Sequence, residues 1–199
     1  MKILLVTAHP VKHSLCEKYS DTIAEQLKSM RHDVVEENLY ESRFDPVLSQ
    51  KEREDYYKEP YDTSAITGEV ERLTAADALV LVFPTWWFGF PAILKGWFDR
   101  VWVPGVAYDH ADESGPIKPK LHNIKKVFVV TTLGAPWWVD TFILRRPVKR
   151  VIKMGLLGSC ARPCQLRFIS FYKCEKVDAE RLKRSISKIE NELSKFLSN

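Results

Sequence analysis

A doubly wound α/β fold is predicted by three features of the sequence. Strand-like and helix-like stretches alternate along the 199 residues, strand then helix, through five repeats. The clearest strands are short unbroken apolar runs, as expected of parallel strands buried on both faces. The run Ala78 to Phe83 opens into an aromatic loop and then a helix, which is how open α/β sheets make ligand sites at the carboxyl ends of strands. The length suits one well-buried domain, 1–199, and is short for two.

Lys2 to Thr7 (KILLVT) reads as the first buried strand, and Ala8 to His13 as the turn after it. A helix starts at Ser14 and reaches about Met30. Ser14 with Glu17 forms a capping-box pattern, and Leu15, Tyr19, Ile23 and Leu27 form the apolar stripe. A strand, a polar turn and a helix N-terminus offer an anion site without a GxGxxG, because free N–H groups and the helix dipole favour phosphate. His9 and Ser14 can add donors to that site, or serve only as a loop histidine and a cap.

Asp33 to Asn38 (DVVEEN) is a shorter, more polar strand suited to a sheet edge. Leu39 to Thr63 has little periodicity and is long for an ordinary connection; it reads as an excursion holding a short helix. Thr63 to Ala75 is a helix with Ile66, Val70 and Leu73 inward, leading to Ala78–Phe83. Pro84 is expected to stop that strand, and Thr85 to Phe90 form the loop. Pro91 sits where a helix can begin, its missing N–H being an orphan there. Ile93, Leu94, Trp97, Phe98 and Val101 follow at helical spacing, with Lys95, Asp99 and Arg100 on other faces. Trp97, Phe98 and Trp102 therefore read as core. Trp86, Trp87 and Phe88 are consecutive large aromatics in a short loop and cannot all point inward, so at least one borders a cleft able to take a flat aromatic ligand.

Val103 to Asn123 is rich in Gly, Pro and charge and reads as a surface loop, with His110 and Asp112 as surface residues. Lys126 to Thr132 is the fourth strand. It opens into a second aromatic loop, Leu133 to Trp138. Between Asp140 and Gly155, Pro147 marks a short turn followed by a new helix. Arg145, Arg146, Lys149, Arg150 and Lys153 make a solvated basic face there, or a contact for a nicotinamide-dinucleotide phosphate. Gln165 to Ser170 is the fifth strand. Asp178 to Leu197 is an amphipathic helix with Leu182, Ile186, Ile189, Leu193 and Phe196 in register.

A net charge of +4 is mild and favours anionic small molecules over nucleic acid as partners. No apolar run reaches the ~18–20 residues of a membrane span, and the N-terminus enters a strand without a signal-peptide pattern. Cys16, Cys160, Cys164 and Cys174 show neither a CxxC pair nor metal-spaced histidines, so reduced thiols in a cytoplasmic protein, and no metal, are expected.

The run PTWWFGFPAILKGWFDRVW, residues 84–102, closely resembles the signature of the flavodoxin-like NAD(P)H:quinone oxidoreductases, and the resemblance extends from about Lys2 to Gly155. It implies a flavodoxin-like, five-stranded parallel sheet of strand order 2-1-3-4-5. It also implies that Pro84, Thr85, Trp86, Trp87 and Phe88 support one edge of a flavin, while His9, Ser14, Leu15 and Cys16 hold its phosphate. Thr131, Thr132, Leu133 and Gly134 match the family's T-T-x-G, whose backbone amides meet the pyrimidine end. Trp87, Phe88, Trp137 and Trp138 would wall the substrate pocket.

The chain departs from the family in two places. Cys16 stands where flavin-dinucleotide members carry asparagine, so FMN is expected, with FAD possible. Trp137, Trp138, Val139 and Asp140 stand where vertebrate enzymes carry a tyrosine and a histidine, so no side chain is assigned a catalytic role. The implied activity is two-electron reduction of a quinone or similar acceptor by NAD(P)H, in ping-pong fashion through the flavin, by a homodimer sharing its site between subunits. A one-electron flavodoxin, a flavin-bearing regulatory subunit of a potassium-efflux system, and a non-redox phosphate-binding module are the alternatives. The basic charge and the bulky aromatic loop disfavour the first, and the two tryptophan loops disfavour the last.

Overall fold

The computed structural model describes residues 1–111 and 115–198. Five strands, β1 (Lys2–Thr7), β2 (Asp33–Asn38), β3 (Ala78–Pro84), β4 (Lys126–Thr132) and β5 (Gln165–Phe171), form one parallel sheet in the order β2-β1-β3-β4-β5. Every residue of β3 is buried, because both faces of the central strand are covered. Alternate residues of each strand feed two cores. Ile3, Leu5, Val80, Val82, Phe128 and Val130 pack under α1 (Leu15–Ser29) and the C-terminal helix Ala179–Ser198. Leu4, Val6, Leu79, Leu81, Phe83, Val127 and Val129 pack on the opposite face. There they meet α3 (Thr67–Ala75), α4 (Ala92–Val101) and α5, a continuous helical stretch over 147–160 whose middle, Val151–Leu157, is π-helical. None of the helices among the described residues is long and apolar enough to cross a membrane.

Several elements differ from the sequence reading in ways with a physical cause. Ser14 caps α1, its Oγ accepting from Glu17 N–H at 3.2 Å, but the Glu17 carboxylate accepts from His13 N–H instead of closing a capping box. β3 ends at Pro84, which belongs to the strand instead of lying just past it. It is the strand's last paired residue, opposite Thr132, because its missing N–H costs nothing at a strand end. The stretch 103–123 is not simply a surface loop: Val103, Ala107 and Leu121 are buried, and Tyr108–Asp109 pairs antiparallel with Lys118–Pro119. Within it His110 is half-buried rather than a surface residue, its ring 4.9 Å from that of Tyr57 and its Nε2 3.2 Å from Tyr56 O. Asp112 lies outside the described residues.

Arg100 is the largest correction. It lies off the apolar stripe of α4 yet is only 8% exposed. Its guanidinium donates to Glu52 Oε1 at 2.7 and 2.9 Å and to Asp45 O at 2.6 Å, and sits over the Phe44 ring. Glu52 belongs to α2 (Gln50–Glu54), the short helix of the excursion, where it also completes a capping box with Ser49. The excursion is thus fastened to α4 by a buried ion pair, and Gly96 allows the close approach. Arg72 and Trp97 make a second such anchor, donating to the buried Glu37 of the edge strand β2 at 2.7 and 3.0 Å.

Two stability measurements test this account. A Cβ at Gly96 would collide with Pro46 backbone and ring, so Gly96→Ala should cost about 1–3 kcal/mol of unfolding free energy in urea. For Glu52, burial alone would raise the carboxyl, but Ser49 and Arg100 together hold it below its ordinary value of 4.5. Its stabilisation is therefore complete above about 4.5 and is lost as pH falls through the lower folded value. Glu52→Gln should destabilise by about 1–3 kcal/mol at pH 7, and the gap from wild type should close on acidification below that range.

Candidate functional site

The carboxyl ends of β1, β3 and β4 bring three loops side by side. Between the loops after β3 and β4 lies a cleft of about 600 Å³, lined by Thr85, Trp86, Trp87, Phe88, Leu133, Gly134, Ala135 and Glu175. Beside the β1–α1 turn lies a smaller crevice of about 320 Å³, lined by Thr7, His9, Pro10, Val11, Lys12, Glu17, Asn38, Tyr40, Glu41 and Arg43. The His9 ring lies 6.2 Å from that of Trp86, so the two hollows adjoin.

The β3 loop owes its shape to a tight turn. Trp86 and Gly89 exchange both backbone hydrogen bonds, N–H to O at 3.3 and 2.9 Å, leaving Trp87 and Phe88 as a two-residue hairpin tip. Both tip residues have positive φ, 49° and 55°, as a type I′ turn requires. That turn favours Asn-Gly; two bulky aromatics there are held in a conformation that costs of order 1–3 kcal/mol each. The strain puts the Trp87 side chain almost wholly in solvent, at 99% exposure. It also leaves the N–H groups of Trp87 and Phe88 without an acceptor among the described residues. Across the cleft, Leu133 N–H is engaged by Phe171 O, whereas Gly134 and Ala135 N–H groups have no acceptor among the described residues.

The residues expected at the site divide by what they can offer. Thr85, Trp86, Trp87, Phe88, Leu133 and Gly134 line the cleft together. His9 lines the neighbouring crevice; its Nδ1 lies 3.1 Å from both the N and the O of Val11, which leaves Nε2 as the ring nitrogen open to a ligand. Ser14 spends its Oγ on the cap, and Leu15 and Cys16, the first helical residues, keep N–H groups that no preceding turn can engage. The Cys16 side chain is not available to a ligand: it is 1% exposed, its Sγ lies 3.5 Å from Thr132 Oγ1, and burial pushes its thiol up to about 12. Pro84, Thr131 and Thr132 are likewise buried behind the cleft. Thr131 spends its hydroxyl on Thr85 at 2.7 Å, so these residues shape the wall from behind. Trp137 and Trp138 are not part of the cleft lining. They stand about half exposed beyond it, where the chain enters the π-helical turn Val139–Ile143, and Trp137 packs on Phe142 at 5.5 Å.

Two features were not anticipated. Asp140, buried, accepts from Tyr172 Oη at 2.8 Å and pins that π-helical turn to the end of β5. Glu175, in the loop after β5, lines the cleft beside Gly134. Neither carries a sequence signal, since each is a single acid in a stretch without periodicity. Of the basic residues, Arg145, Arg146, Arg150 and Lys153 are exposed and Lys149 is half-buried.

Comparison with known proteins agrees with the geometry. A family model described as flavodoxin-like fold matches residues 1–197. The chain is 36% identical over 152 residues to NAD(P)H dehydrogenase [quinone] 1 of Rattus norvegicus, an alignment covering 67% of this chain and 54% of the rat protein. It thus spans about half the length of the curated relatives it matches. Two solved structures superpose over 96% of the chain, each with a TM-score of 0.81: Smu.1420 from Streptococcus mutans, at 29% identity and 97% of its length, and the NAD(P)H:quinone oxidoreductase from Methanothermobacter marburgensis, at 25% identity and 94% of its length.

If the tip of the β3 loop is strained for the sake of its side chains, relieving the strain should stabilise the fold. Trp87→Asn combined with Phe88→Gly should raise unfolding free energy by about 1 kcal/mol. A denaturant titration that shows a loss instead would mean that the aromatic tip contributes packing that outweighs its backbone cost.

Proposed function

The chain belongs to the flavodoxin-like fold family, and from that premise we propose that it is an FMN-dependent NAD(P)H:quinone reductase acting as one flavin-binding domain. The observation that carries this reading is the cleft itself: aromatic on one wall, with unengaged backbone N–H groups on both, adjoining a helix N-terminus. These residues fit a flavin. A tricyclic ring needs a flat apolar slot with donors at its polar edge, and its phosphate needs free N–H groups and a favourable dipole. When bound, the flavin supplies the hydride chemistry by which NAD(P)H reduces a quinone.

The protein's part is position and electrostatics. The first turn of α1 binds the phosphate through Leu15 and Cys16 N–H groups, with His9 Nε2 beside them. Trp87 and Phe88 N–H groups hold one ring edge, and Gly134 and Ala135 N–H groups hold the pyrimidine edge, fixed dipoles that do not titrate. Trp87 stands over the open side, where nicotinamide and acceptor alternate. A second copy of the chain closes this side. The proposal of a homodimer is supported by the fastened excursion 39–63 and by the exposed apolar side chains of Trp137, Trp138, Phe142, Ile143, Val151 and Met154. The compartment proposed is the cytoplasm, in keeping with four free cysteines.

The test is direct. Purified protein should be yellow and release FMN on denaturation, and it should oxidise NAD(P)H with a quinone as acceptor. His9→Ala combined with Ser14→Ala should weaken FMN binding by about tenfold, through a lost donor and a loosened cap. Titration of apoprotein by flavin fluorescence measures this, and unchanged affinity in a folded double variant would remove this turn as the phosphate site.

A further inference from the structure

We infer that Glu175 tunes the bound flavin, holding a negative charge beside the pyrimidine edge so that the ring is harder to reduce; this rests on the flavin reading above. Glu175 is the one ionisable residue among those lining the cleft, and no cation lines it. A Cβ placed on Gly134 would lie 2.8 Å from Glu175 Oε1, so the carboxylate occupies the space that a side chain at 134 would fill. Gly134 thereby admits an acid against the same backbone whose N–H is free. Glu175 is exposed and makes no hydrogen bond or ion pair among the described residues.

The loop that carries Glu175 is tied to the cleft wall by its backbone. Cys174 N–H donates to Leu133 O at 3.0 Å and Lys173 N–H to Ala135 O at 3.3 Å, tying the β5 loop to the cleft wall on both sides of Gly134. The Arg181 guanidinium donates to Lys173 O at 3.0 Å and to Tyr172 O, and Tyr172 Oη is fixed on Asp140. Lys173 takes a positive φ of 52° to make the turn. A loop tied at this many points fixes the backbone from which Glu175 extends beside Gly134.

Reduction of a flavin adds electron density to the pyrimidine end of the ring. The free N–H groups of Gly134 and Ala135 favour that density, and a carboxylate next to them opposes it. The two contributions act on the same edge with opposite sign. The equilibrium between oxidised and reduced cofactor is the quantity Glu175 moves, while binding of the oxidised form, neutral at that edge, is little affected.

The experiment compares the FMN-loaded wild type with Glu175→Gln and Glu175→Asp by dye-equilibrated reduction, together with oxidised FMN affinity by fluorescence titration. Glu175→Gln keeps the volume and removes the charge. It should favour reduction by about tenfold, a rise of about 30 mV for a two-electron couple, with oxidised FMN affinity within about threefold of wild type. Glu175→Asp should stay near wild type. Equal potentials in wild type and Glu175→Gln would overturn the role of Glu175 and leave the flavin reading standing. A folded wild type that binds no FMN would overturn both.

Discussion

Parallel pairing of β3 with β1 on one side and β4 on the other is the constraint from which the site follows. Parallel strands all present their carboxyl ends at one edge of the sheet, so the loops that leave them have nowhere else to go. The register tightens this. Thr7 pairs with Val82 and Pro84 with Thr132, and the ladder runs on past the strand ends through Ala8 N–H to Val82 O and Thr85 N–H to Thr132 O. The phosphate-ready turn, the aromatic hairpin and the Gly134 loop are therefore neighbours by construction. Displacing any of these strands by a residue would move its loop along the edge and turn its core side chains to the wrong face.

On that rigid edge the loops themselves are costly. Trp87 and Phe88 hold left-handed backbone that glycine would adopt without penalty, and in return expose an indole and two unengaged N–H groups that face those of Gly134 and Ala135 across the cleft. Strain and unsatisfied donors at the same place are the usual mark of a site whose partner is not part of the chain. The rest of the molecule carries the cost. Two largely buried acids are satisfied in compact hubs, Glu37 by Arg72 and Trp97, and Glu52 by Arg100 and Ser49.

Much of this was legible in the residues. β1, β3 and β4 announce themselves because strands covered on both faces must be apolar throughout, and α1 and α4 because one stripe of each must be. The family resemblance ordered the strands, which periodicity alone does not do. What escaped was decided by distant sequence. Arg100 looks like a surface residue of α4 until Glu52, 48 residues earlier in the chain, folds over it. Glu175 and Asp140 are single acids in irregular loops whose meaning comes only from Gly134 and Tyr172. Trp137 and Trp138 imitate the β3 aromatics in composition, yet the π-helical turn that follows carries them out of the cleft lining.

The placement of the tryptophans has an optical consequence. The chain has six. Trp97 and Trp102 are sealed in the core, while Trp86 and Trp87 stand exposed on the cleft and Trp137 and Trp138 about half exposed beyond it. Buried and wet indoles emit at different wavelengths, so the protein's own luminescence separates into a blue component that follows folding and a red one that follows occupancy. A flat, absorbing guest settling beside Trp86 and Trp87 would darken the red component more than the blue one. The same arrangement that builds the slot makes its filling visible without a label.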